Sequence, residues 1–390
     1  MISFDDTEIA FGSKSNSDLS WSYRLFNLMG KPWLVKFGKV LTNIAFKLHL
    51  PVKGVIKKTI FKQFCGGESI NDCDGKIAQL HQFKIGTILD YSVEGKESVS
   101  DLELTKNEII NTLKKGKGNP AIPFAVFKIT GVSRFSLLEK ANIGIETLDS
   151  EEKKEFLEVM GRVDAICKTA FELNSPVFID AEDSWVQDAI DRIADAMMAK
   201  YNKKRAIVYN TLQMYRHDRL NFLKSSHTKA KSGGYYLGVK LVRGAYMEKE
   251  RDRAKEKGYP SPIQQDKAAT DRDYNLGITY MVNHINEIAI CAGTHNEESS
   301  ALMVKLMHEK RIDISHPHAY FAQLLGMSDH ISFNLAHEGF NVAKYVPYGP
   351  IKEVMPYLIR RAEENTSVAG QMGRELSLIV KEKKRRKLER

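Results

Sequence analysis

Eight short apolar runs recur along this 390-residue chain from residue 86 onward, and most are followed by a longer segment with helical periodicity. Strands that read as continuous apolar runs are typically buried on both faces, and strands separated by helices pair in parallel through right-handed crossovers. Eight such units predict an α/β fold, a (β/α)8 barrel, with an N-terminal helical extension before it. The runs begin at residues 86, 124, 177, 205, 236, 287, 330 and 342.

The spacing of the runs bears on the details of this fold. The runs at 330 and 342 lie too close for a long helix between them, so this crossover must be short or irregular. The segment 97–118 is predicted to form a helix before the second strand. A doubly wound sheet is the alternative fold, but no G-x-G-x-x-G follows a run, and GKGN at 116–119 indicates only a loop.

The charge distribution separates the ends of the chain from its middle. The formal net charge is +9, and KEKKRRKLER at 381–390 carries seven positive and two negative side chains, which leaves +4 on residues 1–380. We predict a helical, basic, amphipathic extension at 1–80, a catalytic barrel at 81–375 and a basic tail at 376–390. No run approaches the roughly 18 apolar residues that a membrane span needs.

An acid-free stretch extends from Leu19 to Gly67, where lysines and one arginine alternate with aromatic and aliphatic residues. Within it, WLVKFGKVLTNIAFKLHL has apolar residues at helical spacing with cations between them. A basic amphipathic helix of this kind can lie on an anionic membrane surface. The alternative is that its apolar face packs on the main domain, and the sequence leaves both interpretations open.

Cysteine and histidine spacing bears on metal binding and on the cellular compartment. Cys65, Cys73, Cys167 and Cys291 share no close metal-type spacing, and a cleavable secretory signal is not recognisable. HPH at 316–318 lacks a further ligand at a recognisable spacing. We therefore predict a cytoplasmic protein without a bound metal.

Polar and ionisable residues stand at the predicted strand ends, where the active site of a (β/α)8 barrel lies. Any one of them can be a structural residue, but their recurrence after every run is typical of a barrel enzyme. These residues are Asp90, Lys128 with Thr130, Asp180 with Glu182, Gln213, Lys240 with Arg243, Thr294 with His295, Asn334 and Tyr345.

Charge pairs are expected among these strand-end residues. Lys128 opposite Asp180 would form a buried ion pair, because a buried charge without a partner is costly. Lys240 and Arg243 lie close together at the end of one predicted strand, where their positive charge could bind a diphosphate or stabilise an anion formed during a reaction.

Two adjacent arginines occur in YLIRRAEEN, residues 357–365, on a helix predicted from 351 to 364. As surface residues, Arg360 and Arg361 would form weak ion pairs with Glu364 at ordinary helical spacing. Neighbours on a helix point about 100° apart, so two guanidinium groups can also approach one carboxylate or phosphate from two sides. The position of this helix after the eighth strand favours anion capture.

Four motifs extend this pattern: VFIDAED at 177–183, KLVRGAYMEKER at 240–251, AGTHN at 292–296, and YVPYG followed by YLIRRAEEN. Together they resemble the proline dehydrogenases, flavoenzymes built on a distorted (β/α)8 barrel. The resemblance covers roughly residues 60–370. It implies oxidation of L-proline to Δ1-pyrroline-5-carboxylate with FAD as cofactor, and transfer of the electrons to a membrane quinone.

The resemblance also implies partners and substrate contacts. The product would pass to a separate pyrroline-5-carboxylate dehydrogenase, and no nucleic acid is expected. The resemblance does not cover residues 1–60, but the cationic, aromatic-rich pattern of residues 20–62 predicts that they dock the enzyme peripherally on the inner face of the cytoplasmic membrane, where a quinone would be reached. The bulky phenol of Tyr345 would leave little room for a ring hydroxyl, which disfavours hydroxyproline. The residues implied in proline binding and catalysis are Lys128, Asp180, Tyr246, Leu324, Tyr345, Arg360, Arg361 and Glu364.

The implied FAD-binding residues lie in two of these motifs and at the end of the fourth run. Bifunctional bacterial relatives often have arginine where this chain has Lys240 and tryptophan where it has Met247. A lysine keeps the positive charge of arginine but lacks its bidentate fork. The implied positions are Gln213, Lys240, Val242, Arg243, Gly244, Ala245, Thr294, His295 and Asn296.

Two rival functions are compatible with the residues alone. A different barrel enzyme, such as an aldolase, could use Lys128 or Lys240 as a Schiff-base amine and the arginines on a phosphate. A non-catalytic nucleic-acid or membrane binder would explain the basic tail but not the strand-end residues.

Overall fold

The chain divides into two compact units, Glu94–Ala322 and the paired segments Ile2–Val93 and Gln323–Arg390. The first unit is continuous in sequence, whereas the second joins residues from both ends of the chain. The computed structural model describes residues 2–48, 51–93, 97–367 and 369–388, with the backbone alone at 32, 36, 40, 43–47, 364–367 and 369–372.

The described residues form a closed barrel of eight parallel strands, which confirms the predicted fold class. Strands that are consecutive in sequence are neighbours, and the last pairs with the first. Most strand residues are buried, which is why the strands read as continuous apolar runs. The strands are β1 Ile85–Tyr91, β2 Phe124–Phe127, β3 Val177–Ile179, β4 Val208–Gln213, β5 Leu237–Val242, β6 Ile288–Gly293, β7 Ala319–Leu324 and β8 Val342–Tyr348.

The region before β1 is helical, as predicted. A π-helix at Lys57–Phe61 and a short 3-10 helix at Asn71–Cys73 interrupt the series. The α-helices here are α1 Thr7–Ala10, α2 Asn16–Met29, α3 Pro32–Lys47, α4 Lys53–Ile56, α5 Lys62–Phe64 and α6 Asp74–His81.

From β1 onward, helices alternate with the strands, and the predicted helix at 97–118 is confirmed as the first of them. Two further 3-10 turns lie at Ile129–Gly131 and Ile145–Thr147. The α-helices are α7 Val99–Gly116, α8 Phe135–Ile143, α9 Ser150–Leu173, α10 Ser184–Tyr201, α11 Arg219–Gly233, α12 Met247–Lys257, α13 Lys267–Asn283, α14 Glu297–Glu309, α15 Asp329–His337, α16 Ile351–Ser367 and α17 Ala369–Arg385.

The predicted seventh strand was wrong. The run at 330 is the helix α15, and the seventh strand is β7, which follows HPH directly. All residues of α15 from Asp329 to Ala336 are buried, and apolar Ile331, Phe333 and Leu335 alternate with polar residues as in a strand, which hides the helical periodicity. Asn334 therefore lies on a helix, where its side-chain amide donates to the carbonyl of His330 at 2.7 Å. The short crossover expected between the runs at 330 and 342 was wrong for the same reason, because α15 is itself the nine-residue helix that connects β7 to β8.

Helix α16 packs one face into a core of the second unit. Its buried residues recur at helical spacing, and the apolar side chains facing them come from α2, from the segment 56–65 and from the loop after β7. The residues of this core are Leu25, Met29, Ile56, Phe61, Phe64, Cys65, Met327, Ile351, Val354, Tyr357, Leu358 and Ala362.

The segment predicted as a basic tail is helical as far as Arg385. Leu378 and Ile379 of α17 are buried in a second cluster of this unit, together with Phe11 and residues of α2. The side chain of Arg386 donates to the carbonyl of Phe11 at 2.9 Å. Apolar burial and hydrogen bonds to the backbone thus hold this basic segment, while the domain boundaries at 80 and 376 stay predictions.

Helix α3 has a packed face and an exposed apolar face. Val35 packs against the core around α16, and Lys39 forms a salt bridge to α16 at 2.8 Å. Trp33, Phe37 and Leu41, at i, i+4 and i+8, are 66%, 61% and 54% exposed, and we call them the exposed stripe. Packing of the helix on the protein is therefore confirmed for one face. Among the described residues, no helix is both long and apolar enough to cross a membrane.

Candidate active site

Lys240 and Asp180 form a buried ion pair in the first unit. Lys240 lies on β5 and is 4% exposed, and its ammonium donates to the carboxylate of Asp180, which follows β3 directly. The ammonium also lies 5.3 Å from the ring centroid of Phe178. The backbone N–H of Asp180 donates to the carbonyl of Phe127, the last residue of β2, at 2.9 Å. The pair therefore joins β2, β3 and β5.

This pairing differs in part from the sequence-based expectation. Lys240 was assigned to the cofactor, and the sequence did not indicate it as a partner of Asp180. The pairing of Lys128 with Asp180 stays a prediction. The register of β5 and β6 places Cys291 opposite Lys240. Burial raises the pKa of the Cys291 thiol to about 12, so this thiol is neutral and is not a nucleophile.

Glu182 joins the ends of three strands. Its carboxylate accepts hydrogen bonds from the backbone N–H of Thr130 at 3.1 Å and from the Thr130 hydroxyl. Its backbone carbonyl accepts from the side chain of Gln213, at the end of β4, at 2.7 Å. Because Thr130 follows Lys128 by two residues, Glu182 restrains the turn that carries Lys128. The sequence marked Glu182 as a strand-end residue without assigning it this role.

The loop after β5 depends on a glycine. Gly244 has φ of 134°, and a Cβ atom there would lie 2.6 Å from the ring of Tyr215. Such a contact and such a φ both exclude larger residues. The next residue, Ala245, donates its N–H to the side-chain oxygen of Gln213 at 3.3 Å. Tyr246 then precedes α12 and is half-buried. Three residues predicted to bind the cofactor therefore lie close together, namely Gln213, Gly244 and Ala245.

Arg243 is held by side chains of α13, α14 and the loop after β6. Its Nε donates to Asp271 at 2.7 Å, its Nη1 to the hydroxyl of Thr294 at 2.7 Å, and its Nη2 to the hydroxyl of Ser299 at 3.0 Å. The guanidinium carbon lies 4.5 Å from the ring centroid of Tyr274. These contacts fix the orientation of a cation at the end of β5, next to the half-buried Val242.

The loop after β6 leads into the start of α14. Asn296 is the N-cap of this helix, and its side-chain oxygen accepts from the backbone N–H of Ser299 at 2.8 Å. Its own N–H donates to the hydroxyl of Thr294 at 3.1 Å, with the half-buried His295 between them. Arg243, Thr294, His295 and Asn296, all predicted to bind the cofactor, therefore come together.

In the second unit, the arginine pair lies on α16, which is separated from β8 by two residues. Arg361 is only 7% exposed and follows Tyr357 and Leu358 on the buried face of the helix. Its guanidinium carbon lies 5.2 Å from the ring centroid of Tyr357. Arg360 is half-buried. A buried guanidinium is costly unless it meets an anion or an aromatic face, so the weak surface ion pair is the poorer interpretation for Arg361.

Two other predicted substrate residues belong to the same unit. Tyr345 is buried on β8, and its carbonyl accepts from the N–H of Leu325 at 2.8 Å. Leu324, at the end of β7, packs against the core around α16. The side chain of Glu364 lies outside the described residues. The substrate roles of all these residues stay predictions.

The HPH motif directly precedes β7, at the opposite end of this strand from Leu324. His316 and His318 precede β7, with ring centroids 5.4 Å apart, and the Nδ1 atom of His318 is 2.9 Å from the carbonyl oxygen of Ile285. Within the part of the chain that the structure describes, no group of three or more His, Cys, Asp or Glu side chains could hold a metal ion.

Comparison with known proteins identifies the family. A family model described as Proline dehydrogenase matches residues 73–374. The chain belongs to the proline dehydrogenase family. This proline dehydrogenase family member is 33% identical to Proline dehydrogenase 1, mitochondrial, of Dictyostelium discoideum, over 98% of this chain and 74% of that protein. It is also 30% identical to a Xenopus laevis protein named Hydroxyproline dehydrogenase, over 99% of this chain and 90% of that protein.

The barrel is also similar to solved structures. It matches proline utilization A from Bdellovibrio bacteriovorus, inactivated by N-propargylglycine, with a TM-score of 0.70 and 20% identity. The match covers 94% of this chain and 37% of that chain, so our protein spans little more than a third of the larger one. At this identity the similarity concerns the fold. The family assignment supports an enzyme that oxidises proline.

Proposed function

We propose that this protein oxidises L-proline to Δ1-pyrroline-5-carboxylate, with FAD as hydride acceptor and a membrane quinone as the final acceptor of the electrons. The observation that carries the proposal is Arg361, a guanidinium on the buried face of α16 in a member of the proline dehydrogenase family. Such a group suits a substrate that has a carboxylate. A separate pyrroline-5-carboxylate dehydrogenase would take the product.

The residues of the first unit fit FAD by the chemistry of their donors. Lys240 and Arg243 supply oriented positive charge, Gln213 supplies an amide, and the turn at Gly244 leaves its backbone unshielded by a side chain. FAD, when bound, accepts the hydride and the negative charge that arrives with it. A fixed cation stabilises developing charge without reorganising, and we assign this role to Lys240, which Asp180 holds in place. The other assigned residues are Val242, Ala245, Thr294, His295 and Asn296.

Cations also suit the proline carboxylate. A guanidinium fork matches a carboxylate in a bidentate manner, so we assign Arg360 and Arg361 to this group, with Lys128 as the further cation. Holding the carboxylate orients the ring carbon that loses the hydride, and orientation of this kind can supply about 7–11 kcal/mol of the barrier. We assign Tyr246, Leu324 and Tyr345 to ring packing, and Glu364 to support of the cations.

Hydroxyproline is the competing substrate, because one close relative carries that name. Tyr345 favours proline. Its side chain is buried on β8, and a phenol that packs on the ring leaves little room for a further hydroxyl. The two substrates differ by that one group, so a direct comparison of them decides the question.

An anaerobic absorbance spectrum before and after addition of L-proline tests the proposal. We expect a flavin band near about 450 nm that bleaches with proline and much less with hydroxyproline. If the protein is yellow but its flavin stays oxidised after proline is added, the assignment of the cofactor stands and the assignment of proline as substrate fails. A colourless protein that FAD does not reconstitute would contradict the proposal and favour the aldolase that uses a lysine.

The exposed stripe supports a peripheral membrane contact. Its three large apolar side chains line one face of α3, and Lys31 and Lys53 lie near the two ends of this helix. Apolar insertion combined with cationic attraction is the pattern of helices that lie in the interface of anionic bilayers. A quinone acceptor that is dissolved in the bilayer would make such a contact useful.

Flotation with liposomes checks this contact. Changing Trp33, Phe37 and Leu41 together to serine is expected to abolish most binding to vesicles of anionic lipid, because the buried apolar area is lost. The matched control is Leu157→Ser on α9, which removes an equally exposed apolar side chain from the first unit. Equal flotation of the triple variant and the unchanged protein would show that the stripe does not contact lipid.

A further inference from the structure

Helix α12 directly follows the loop Gly244–Tyr246 and has almost no apolar face. Its sequence is MEKERDRAKEK, and of its residues, all of which the structure describes, only Glu250 and Ala254 are buried. An isolated helix of this length is marginal in water, and most protein helices are held by an amphipathic face. Polar contacts must therefore hold α12 in place.

Glu250 makes the central contact of this kind. It is fully buried, and each carboxylate oxygen accepts a hydrogen bond from Ser184, one from the backbone N–H at 2.6 Å and the other from the hydroxyl at 2.6 Å. Ser184 is the first residue of α10. Among the described residues, the N-cap Asp183 makes no side-chain capping bond to this helix. Glu250 therefore caps α10 from another helix, where negative charge is favourable.

Two neighbours of Glu250 on α12 strengthen the contact. Lys249 forms a salt bridge to Asp183 at 2.8 Å, and its ammonium lies 5.1 Å from the ring centroid of Trp185. The guanidinium carbon of Arg253 lies 4.3 Å from the same centroid, and Arg253 also pairs with Glu139. Side chains of α12 thus contact three consecutive residues, 183–185, at the start of α10.

We infer that Glu250 is a positioning residue: it fastens α12 to the start of α10 and so sets the conformation of the loop Gly244–Tyr246 for cofactor and proline. The inference rests on the proposed function for those two ligands. Ala245 contacts Gln213, and Gly244 fits closely against Tyr215, so a small movement of α12 changes both contacts. A buried carboxylate is retained at a cost, and here both of its oxygens are satisfied by one residue.

Hydrogen exchange of the full-length holoprotein tests this fastening without reference to activity. Glu250→Ala is expected to increase exchange by about tenfold or more in 244–257, because two hydrogen bonds to a charged group are lost. Glu248→Ala, which removes an exposed carboxylate from the same helix, is the matched control and should match the unchanged protein. Unchanged exchange in β4 and β6 shows that the barrel remains folded.

Ser184→Ala keeps the inference testable if Glu250→Ala does not fold. This variant removes one of the two hydrogen bonds, so a smaller increase in the same segment is expected. If both single variants fold, their combination should exchange no faster than Glu250→Ala alone, since the two residues form one contact. Exchange in 244–257 that is unaffected in every folded variant would overturn the inference.

Ligand affinity provides the second readout. In Glu250→Ala, where α12 is less firmly held, we expect weaker retention of FAD and a KM for proline that is raised by about tenfold, while kcat changes less. Glu250→Gln should recover both properties in part. Increased exchange with unchanged FAD retention and KM would overturn the positioning role. If the unchanged protein neither binds flavin nor oxidises proline, the proposed function fails, and the exchange data still decide whether Glu250 fastens α12.

Discussion

Replacing Arg361 with methionine is expected to raise the KM for proline by about 100-fold or more, because a buried charge-assisted hydrogen bond to the carboxylate is lost. Methionine fills a similar volume on the packed face of α16, so the fold should persist. The flavin spectrum should be unchanged, since this residue is assigned to substrate and not to cofactor. Steady-state kinetics and the spectrum of the oxidised protein check both expectations.

The control for this variant lies on the same helix. Lys352→Met removes an exposed cation near the start of α16 and should leave KM within about twofold. Arg360→Met should act in the same direction as Arg361→Met, with a smaller effect because Arg360 is only half-buried. A KM for proline that Arg361→Met leaves unchanged would remove Arg361 from the substrate site and return the arginine pair to a structural role.

The second large effect is expected at Lys240. Lys240→Met removes the ammonium that donates to the largely buried Asp180 carboxylate, and breaking a buried ion pair destabilises a protein by up to about 3–5 kcal/mol. We expect a lower Tm, reduced flavin content, and a kcat reduced by about 100-fold or more because the fixed cation is lost. Thermal unfolding, flavin content per chain and kinetics measure these three effects.

Further variants separate stability from catalysis at this pair. Adding Asp180→Asn to Lys240→Met neutralises the carboxylate that has lost this ammonium, so the Tm should recover in part while kcat stays low. Lys168→Met, which breaks an exposed lysine–glutamate pair in the same unit, should change stability by about 1 kcal/mol or less. If the double variant regained full activity, Lys240 would be a structural residue only.

Much of the barrel could be predicted from sequence, because buried parallel strands are apolar along their whole length. The seventh strand is the exception. In α15 the apolar residues Ile331, Phe333 and Leu335 alternate with polar ones, which predicts a strand there, whereas the true seventh strand is β7. Its residues AYFAQL include polar Gln323, whose buried side chain accepts a hydrogen bond from Ser332. Such a tertiary bond cannot be recognised from a single sequence.

The candidate site shows the same division. Type and position were visible in the sequence for the residues that lie in or directly after apolar runs, namely Lys128, Asp180, Gln213, Lys240 and Arg243. Their partners were not. Asp180 and Lys240 are separated by 60 positions, and only the closure of β3 and β5 into one barrel brings their charges together.

The sequence by itself determined the (β/α)8 class, the polar strand ends, the basic amphipathic character of α3 and the family, because periodicity, composition and motifs are local properties of the chain. The tertiary structure decided which charges pair, that Arg361 is buried, which face of α3 is exposed and that Glu250 caps a helix to which it does not belong. These properties depend on contacts between residues far apart in sequence, and the energy of a charge depends on its surroundings after folding.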